Sequence, residues 1–204
     1  MTATVVRSNL EQLERWKKLY HDQLKLKTNF KTLQQHWRRQ EDLLGLAISE
    51  GNGFGQLTKL IVTPQGVDDN RLYEACAKRF PCWRCVDDFN VIRSDHAAIS
   101  RDLACWIEPS PEAPAEFQNR SANDLTEAGV STLVLGGRLA YELDYYEETD
   151  GQHLDRETVT LIHGSRFPDG LVLRADWSDG GFGVDWWDPR DAHSRLRGRV
   201  AVYV

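Results

Sequence analysis

The sequence predicts an α+β protein, in which an N-terminal long helix or helical hairpin precedes a small antiparallel sheet with a flanking helix. Three observations support this fold class. An apolar repeat of seven residues, the coiled-coil pattern, runs through residues 10–48. A stripe of apolar residues at helical spacing follows residue 133, and four short runs of alternating β-branched and aromatic residues lie between residues 157 and 204. At 204 residues the chain is long enough to bury a core.

The N-terminal helix is predicted to begin at SNLE, residues 8–11, a capping box in which the Ser8 hydroxyl accepts from the Glu11 amide. No glycine or proline follows until Gly45. One heptad register places ten residues on a single seam: Trp16, Leu19, Gln23, Leu26, Phe30, Leu33, Trp37, Gln40, Leu44 and Ala47. Because the register continues through KTNFKT, it favours one rod of roughly 60 Å. Such a rod cannot bury its seam alone, which predicts a homo-oligomer or a partner helix along residues 10–48.

A helical hairpin is the alternative for the same residues. A second apolar face, formed by Leu10, Leu13, Tyr20 and Leu24, exists only on the first half of the stretch. A turn at Thr28–Asn29 would fold the two halves together, and this arrangement needs no partner chain. In either case the glycines of GNGFG, residues 51–55, are predicted to end the helix.

The chain divides into four predicted parts: a helical segment at 1–50, a small mixed segment with a cysteine-rich turn at 51–108, a linker or long loop at 109–124, and an α+β domain at 125–204. Within the second part, QLTKLIVTPQG is predicted as a strand and turn. Two helices are expected there, DDNRLYEACAKRF with Asp69 as its cap and SDHAAISRDLACWIE with Ser94 as its cap. Three prolines and few apolar residues indicate the linker.

The last part is predicted as one helix, LVLGGRLAYELDYYEETDG, followed by the four strands ETVTLIHG, DGLVLRADW, GGFGVDWW and GRVAVYV. The sequence SDGG predicts a hairpin between the middle two strands, because Asp-Gly tolerates positive φ. Alternation places one set of side chains on the core face: Leu171, Leu173, Ala175, Trp177, Phe182, Val184 and Trp186. The opposite face, with Asp176, Asp185 and Trp187, is predicted to be displayed to solvent.

Composition limits the function classes. The net charge is −6, with nine lysines and arginines against six acidic residues in 1–50 but seven against thirteen in 140–204. This acidic second half disfavours nucleic acid as a partner. The sequence contains no run of 18 apolar residues, so no membrane span is predicted. The start of the chain lacks the apolar centre of a secretion signal, and a cytoplasmic location is therefore expected.

Three groups of residues suggest chemistry. Cys82 and Cys85 form a C-x-x-C that could bind zinc with Cys76 and Cys105, but helical spacing places the latter two inward, which favours buried free thiols. The aspartates of RADWSDGGFGVDWWDPRDAH lack the D-x-D-x-D-G spacing of a calcium loop. A serine-type or metal-dependent hydrolase using His163 and Ser165 is an alternative without a supporting motif. No cofactor, metal site or catalytic residue is predicted, so the chain is expected not to be an enzyme.

The motifs GGRLAYELDYYEETDGQHLD, TLIHGSR, ADWSDGGFGVDWW, a DP turn and LRGRVAVYV resemble the C-terminal variable domain of diversity-generating-retroelement target proteins. This bacterial family has a C-type-lectin-like fold and displays variable residues that bind different ligands. The resemblance implies that the scaffold comprises Gly164, Ser165, Arg166, Trp177, Phe182, Val184, Leu196, Arg197, Arg199, Val200 and Val202. It implies a ligand-binding display set of Asp176, Ser178, Asp179, Asp185, Trp187, Asp188, Asp191, His193 and Ser194.

The function expected from these observations is non-catalytic binding of a ligand or protein through the lectin-like surface, with multivalency supplied by the N-terminal helix. The alternative is a structural or adaptor subunit of a larger phage or defence assembly, docked through that helix. The ligand or partner itself is not identified by the sequence.

Overall fold

The computed structural model describes residues 9–44, 57–98 and 101–204, with side chains omitted for 38–44. Its helices are α1 (Asn9–Leu24), α2 (Lys31–Leu44), α3 (Asp69–Ala77), α4 (Ala122–Glu127) and α5 (Leu135–Glu148). Its strands are β1 (Lys59–Thr63), β2 (Cys82–Arg84), β3 (Arg93–Ser94), β4 (Leu103–Ile107), β5 (Val159–Arg166), β6 (Val172–Ser178), β7 (Gly181–Trp187), β8 (Leu196–Gly198) and β9 (Val202–Tyr203). The α+β class predicted from the sequence is confirmed. Ser8 and the GNGFG segment lie outside the described residues.

The N-terminal region is two helices and not one rod. Lys25 and Phe30 have φ values of 56° and 46°, left-handed backbone that interrupts a continuous helix. The chain then returns along itself, since Gln34 Nε2 donates to Glu14 Oε1 at 3.1 Å. The single-rod prediction is therefore wrong, and the hairpin alternative with its turn near residues 28–29 is confirmed. A heptad register does not distinguish a single rod from a hairpin, because the same apolar residues are buried in both arrangements.

Helix α1 covers the edge of a three-stranded antiparallel sheet of order β1-β4-β9. The Gln12 side chain accepts from Leu60 N at 2.8 Å and donates to Thr58 O at 3.1 Å. Trp16 Nε1 donates to Leu60 O at 2.8 Å, one turn further along the helix. Polar atoms of α1 thus pair with backbone groups that an edge strand leaves open.

The predicted coiled-coil seam is buried within the chain itself. Five of its members are at most 8% exposed: Trp16, Leu19, Phe30, Leu33 and Trp37. These side chains belong to the same apolar cluster as Leu60 of β1 and Trp106 of β4, whose ring lies 6.4 Å from that of Trp37. The side chains of Gln40, Leu44 and Ala47 are outside the described residues. Burial of this part of the seam removes the reason for expecting a partner chain along residues 10–48.

Strands β5, β6, β7 and β8 belong to a larger, mixed sheet of order β2-β7-β6-β5-β3, to which β8 adds on β5. The predicted strand GRVAVYV instead supplies β9 to the three-stranded sheet. Pairs β2/β7 and β5/β8 are parallel and the others are antiparallel. The predicted sheet was small and entirely antiparallel, so this detail is corrected: the sheet also takes two strands from residues 82–94. The SDGG hairpin is confirmed, with Asp179 and Gly180 at φ 52° and 77° between β6 and β7. Positive φ at both positions fits a two-residue turn of type I′.

Two helix predictions in the middle of the chain need correction. The helix expected at 94–108 is instead β3 and β4, with residues 99–100 undescribed; all five residues of β4 are buried between β1 and β9, and a continuous apolar run fits such a strand as well as a helix face. The cap of α3 is Asp68, whose side chain accepts from Arg71 N at 2.8 Å, and not Asp69. Helix α5 is confirmed and ends within EETDG.

Residues 109–124, predicted as a linker or long loop, are held by backbone contacts to the second half of the chain. Pro111 O accepts from Asp155 N at 2.9 Å, and Ala113, which is 1% exposed, donates its N–H to Asp155 Oδ1 at 3.0 Å. A 3-10 turn, Ala115–Phe117, and the capping box of Ser121 at the start of α4 complete the segment.

A buried charged network joins α5 to the mixed sheet. Arg138 of α5 bonds Glu142 at 2.7 Å and Asp155 at 2.9 Å, and all three side chains are 0% exposed. Arg199, beyond β8, bonds the other oxygen of Asp155 at 2.6 Å. His153 contacts the second oxygen of Glu142 at 2.9 Å. Each charge has an opposite partner, the condition under which ionised groups are tolerated in a core.

Candidate functional site

The mixed sheet has an inner face against the core and an outer face that was predicted to be displayed. Leu173, Ala175, Phe182 and Val184 are fully buried on the inner face, as predicted. The outer face, however, carries a second apolar cluster of Val159, Leu161, Val172 and Leu196, covered by Ala122 and Leu125 of α4. An outer face open along its whole length was therefore a wrong prediction, because a six-residue helix covers one end of it.

The exposure of the two tryptophans at the end of β7 is the reverse of the prediction. Trp186, assigned to the core face, is 53% exposed. Trp187, assigned to display, packs on the outer apolar cluster, with the Arg174 guanidinium 4.9 Å from its ring centre. Trp186 pairs with Leu173 at the point where the β6/β7 ladder ends, so little core lies beyond it to bury the ring. The alternation of side chains assigns each tryptophan to a face of the sheet. How far the apolar core extends along that face then determines whether the ring is buried.

The nine predicted display residues do not form one surface. Asp176 is 5% exposed and lies within the sheet. Ser178 and Asp179 lie at the β6/β7 hairpin tip, whereas Asp185, Trp187, Asp188, Asp191, His193 and Ser194 lie at or beyond the other end of β7. At about 3.3 Å per residue along β7, the hairpin tip is about 13 Å from Asp185 and about 20 Å from Trp187 and the residues beyond it. A compact ligand cannot contact both groups together.

Apart from Asp185, the second group lies in a segment that we call the rim, residues 186–194. The exposed residues of the rim are Trp186, Arg190, Asp191, Ala192, His193 and Ser194. The Asp188 carboxylate organises the loop, accepting from Arg190 N, Nε and Nη2 at 2.9, 3.0 and 2.6 Å. These hydrogen bonds lower the pKa of Asp188 to about 2. Asp188 is therefore occupied in shaping the loop, and the groups available to a partner are its neighbours.

Trp187 also holds the rim in place, from below. Its indole Nε1 donates to Asp191 O at 3.4 Å, while its ring rests on the outer apolar cluster. Asp185, on the same strand, bonds Arg174 at 3.0 Å and accepts from Trp186 N at 2.9 Å. The rim is consequently a loop whose shape is set before any partner arrives, which lowers the entropy cost of binding.

A second exposed aromatic, Trp83 of β2, lies on the outer face beside β7 and is 38% exposed. Its ring occupies the space above Gly183, where an added Cβ would come within 2.2 Å of the ring. In the motif CWRC only the cysteines suggested a function, so Trp83 was not predicted. The pairing of Gly183 with a bulky residue on the neighbouring strand could have indicated it, had the β2/β7 contact been known.

The four cysteines do not come together. Cys76 and Cys105 are buried, Cys82 is half-buried and Cys85 is exposed, and no group of three or more His, Cys, Asp or Glu side chains in the described ranges is placed to hold a metal ion. Burial, then the charge of Glu142, raises the pKa of Cys82 to about 12. Burial, then Asp185, raises that of Cys85. Neither thiol has the lowered pKa of a redox-active pair.

We expect one cysteine, Cys85, to react with iodoacetamide in the folded chain at pH 7.5, and slowly, because little of its thiol is ionised. All four should react in urea. Mass spectrometry of timed, quenched samples measures this. Rapid labelling of both Cys82 and Cys85 in the folded chain would instead indicate an activated pair.

His163 and Ser165 have separate partners. His163 Nδ1 lies 2.8 Å from Thr132 Oγ1. Ser165 is 0% exposed, and its hydroxyl accepts from Leu135 N at 3.0 Å and lies 2.7 Å from Ser94 Oγ. The serine hydroxyl thus joins β5, β3 and the start of α5, which is a structural arrangement.

Comparisons with protein-family models, with curated proteins and with solved structures find no match to this chain. Within the described residues, none of the helices has the length and apolar character needed to cross a membrane.

Proposed function

We propose that this chain is a non-catalytic binding protein that holds a protein or ligand partner against the rim, residues 186–194. The observation that carries the proposal is Trp186, a large apolar ring left 53% exposed at the end of a strand whose other rings are packed. In the same segment, the side chain of Arg190 is 78% exposed. Tryptophan and arginine are the residues most enriched where binding energy concentrates at interfaces.

The rigidity of the rim supports the same proposal. Asp188 fixes the Arg190 turn, and Trp187 anchors the loop to the outer apolar cluster. A preformed aromatic and cationic surface favours binding, because few rotamers must be ordered when the partner arrives.

The proposal includes the more specific assignment suggested by the sequence: a C-type-lectin-like fold, membership of the diversity-generating-retroelement variable proteins, and a cytoplasmic location. The quoted motifs and the exposure of Asp191, His193 and Ser194 support this assignment. Oligomerisation through the N-terminal helices is not needed for it. We also do not favour docking through α1, because this helix already packs on the β1 edge of the same chain, where Trp16 and Gln12 bond Leu60.

The test is a comparison of three immobilised full-length baits: the natural chain, a Trp186→Ala/Arg190→Ala variant and a Trp83→Ala variant. Extracts of the source cells are passed over each bait, and bound proteins are quantified by mass spectrometry. We expect a partner that the natural chain and Trp83→Ala retain equally and that the rim variant loses by about tenfold or more. Trp83→Ala is the matched control, because it removes an exposed indole from the same sheet outside the rim.

Equal retention by the rim variant and the natural chain would contradict the proposal, as would the absence of any protein specific to the natural chain. Loss with Trp83→Ala alone would move the site to the outer face. Circular dichroism of all three baits confirms that the exposed substitutions leave the fold intact.

A further inference from the structure

A cavity of about 500 Å³ lies between the start of α3, the β3 region and the start of α5, on a part of the molecule distinct from the rim. Its walls are predominantly apolar, with Val67, Phe89, Leu103 and Val134 each buried behind it. Its size is within the range of pockets that bind small molecules. None of the proposed rim residues lines it.

Two acidic residues, Asp68 and Asp69, line this cavity, and Asp69, in the first turn of α3, lies close to the backbone of α5. A Cβ added to Gly136 would lie 2.6 Å from Asp69 Oδ1, so the carboxylate rests where only glycine leaves room. Among the described residues, none forms a hydrogen bond with this carboxylate, and only burial and the charge of Asp68 act on its pKa. By contrast, the carboxylate of the neighbouring Asp68 already accepts from Arg71 N. Asp69 is thus a half-buried acceptor without a donor in an apolar concavity.

We propose that this cavity binds a small amine, with one cationic nitrogen paired to Asp69 and an apolar body of one or two rings against Val67, Phe89 and Leu103. A cation supplies the charge-assisted hydrogen bonds that the Asp69 carboxylate lacks. The apolar walls supply area for the rest of the molecule. A ligand of this class satisfies both features of the cavity with one short connection between them.

The other charged groups around the cavity are consistent with a cation. Burial, then the charge of Asp68, raises the pKa of Asp69 to about 6, so the carboxyl is ionised at pH 7.5 but destabilised. A bound cation pairs with the carboxylate and so favours its ionised form against both effects. Arg93 also borders the cavity, but it is exposed and its charge is not among the causes that shift the pKa of Asp69. The His96 ring is stacked on Tyr203 at 3.7 Å.

The experiment is an NMR titration of the full ¹⁵N-labelled chain at pH 7.5 with three probes on one ring: benzylamine, benzyl alcohol and benzoate. We expect shifts at the amides of Val67, Val134 and Gly136, and an affinity for benzylamine about tenfold above that for benzyl alcohol. Benzoate should bind weakest. Lowering the pH from 7.5 to 5 should weaken benzylamine but not benzyl alcohol, because Asp69 becomes protonated near pH 6.

Two variants separate the carboxylate from the shape of the cavity. Asp69→Asn keeps the volume and should reduce the amine-to-alcohol preference to about twofold or less. Gly136→Ala, at a helical position where alanine is favourable, should displace the carboxylate and weaken benzylamine while α5 stays folded. Equal binding of the three probes, preference for benzoate, or no shift at these amides with any probe would each overturn the proposal.

Discussion

Replacing Asp155 with asparagine is expected to lower the free energy of unfolding by about 3–5 kcal/mol, the cost of breaking a buried ion pair. One carboxylate oxygen accepts from Arg199 Nη2 at 2.6 Å and Ala113 N at 3.0 Å. The other accepts from Arg138 Nη2 at 2.9 Å and Thr160 Oγ1 at 2.5 Å. An asparagine amide directs N–H donors at groups that are themselves donors. Arg138 would then keep Glu142 as its negative partner, whereas the buried Arg199 guanidinium would lose the ion pair that it makes with Asp155.

The matched control is Asp188→Asn, which removes an aspartate that also bonds an arginine but lies at the surface. We expect no measurable change in stability from it, because exposed ion pairs are screened. Urea denaturation of the natural chain and both variants at pH 7 measures the difference. If Asp155→Asn costs no more than Asp188→Asn, the buried network is not what holds α5 to the sheet.

The pH dependence of stability gives a second test of the role of Asp155. Burial alone would raise the pKa of Asp155, but Arg199, Arg138 and the Thr160 hydrogen bond together lower it below its usual value. A carboxyl whose pKa is lowered by folding stabilises the folded state above its unfolded pKa of about 3.9, and this contribution is lost as the pH falls through the folded value. The natural chain should therefore lose stability below about pH 4 more steeply than Asp155→Asn.

Features set by neighbours in the sequence could be predicted. The stripe of Leu135, Leu139 and Leu143 identified α5, and Asp179-Gly180 identified the β6/β7 turn, because local periodicity and turn chemistry determine both. The turn between α1 and α2 was found only as an alternative. Its left-handed residues are Lys25 and Phe30, neither of which favours positive φ, so nothing in the local sequence requires the break.

Features set by distant pairing could not be predicted. Strand β2 joins β7 across almost 100 residues of chain, and Arg138, Asp155 and Arg199 meet only once α5 lies on the sheet. The prediction of the candidate site was limited in the same way, because its exposure depends on distant parts of the chain. Alternation placed Trp186 and Trp187 on opposite faces, but which one is exposed depends on where α4 and the core end. The exposed tryptophan of the predicted segment is therefore Trp186 and not Trp187.

Replacing Trp16 with alanine is expected to cost about 3–5 kcal/mol of stability and to make the chain associate. The ring is 2% exposed and stacks on Tyr20 at 5.5 Å, so its loss leaves a cavity between α1 and the sheet. Its Nε1 also donates to Leu60 O, which alanine leaves without a partner at the β1 edge. An edge strand with open backbone groups pairs readily with another copy.

Trp16→Phe is the matched variant, since it retains most of the apolar area and removes only the donor. We expect it to cost about 1–3 kcal/mol, the range for an unsatisfied buried acceptor. Thermal and urea unfolding give the energies, and light scattering over a range of concentrations gives the mass. The natural chain should be monomeric, because residues 16–37 of the seam pack on the chain's own sheet, and Trp16→Ala should gain mass with concentration. An oligomeric natural chain that Trp16→Ala converts to monomers would reverse this conclusion, since the indole would then be holding two chains together and not sealing the edge of one.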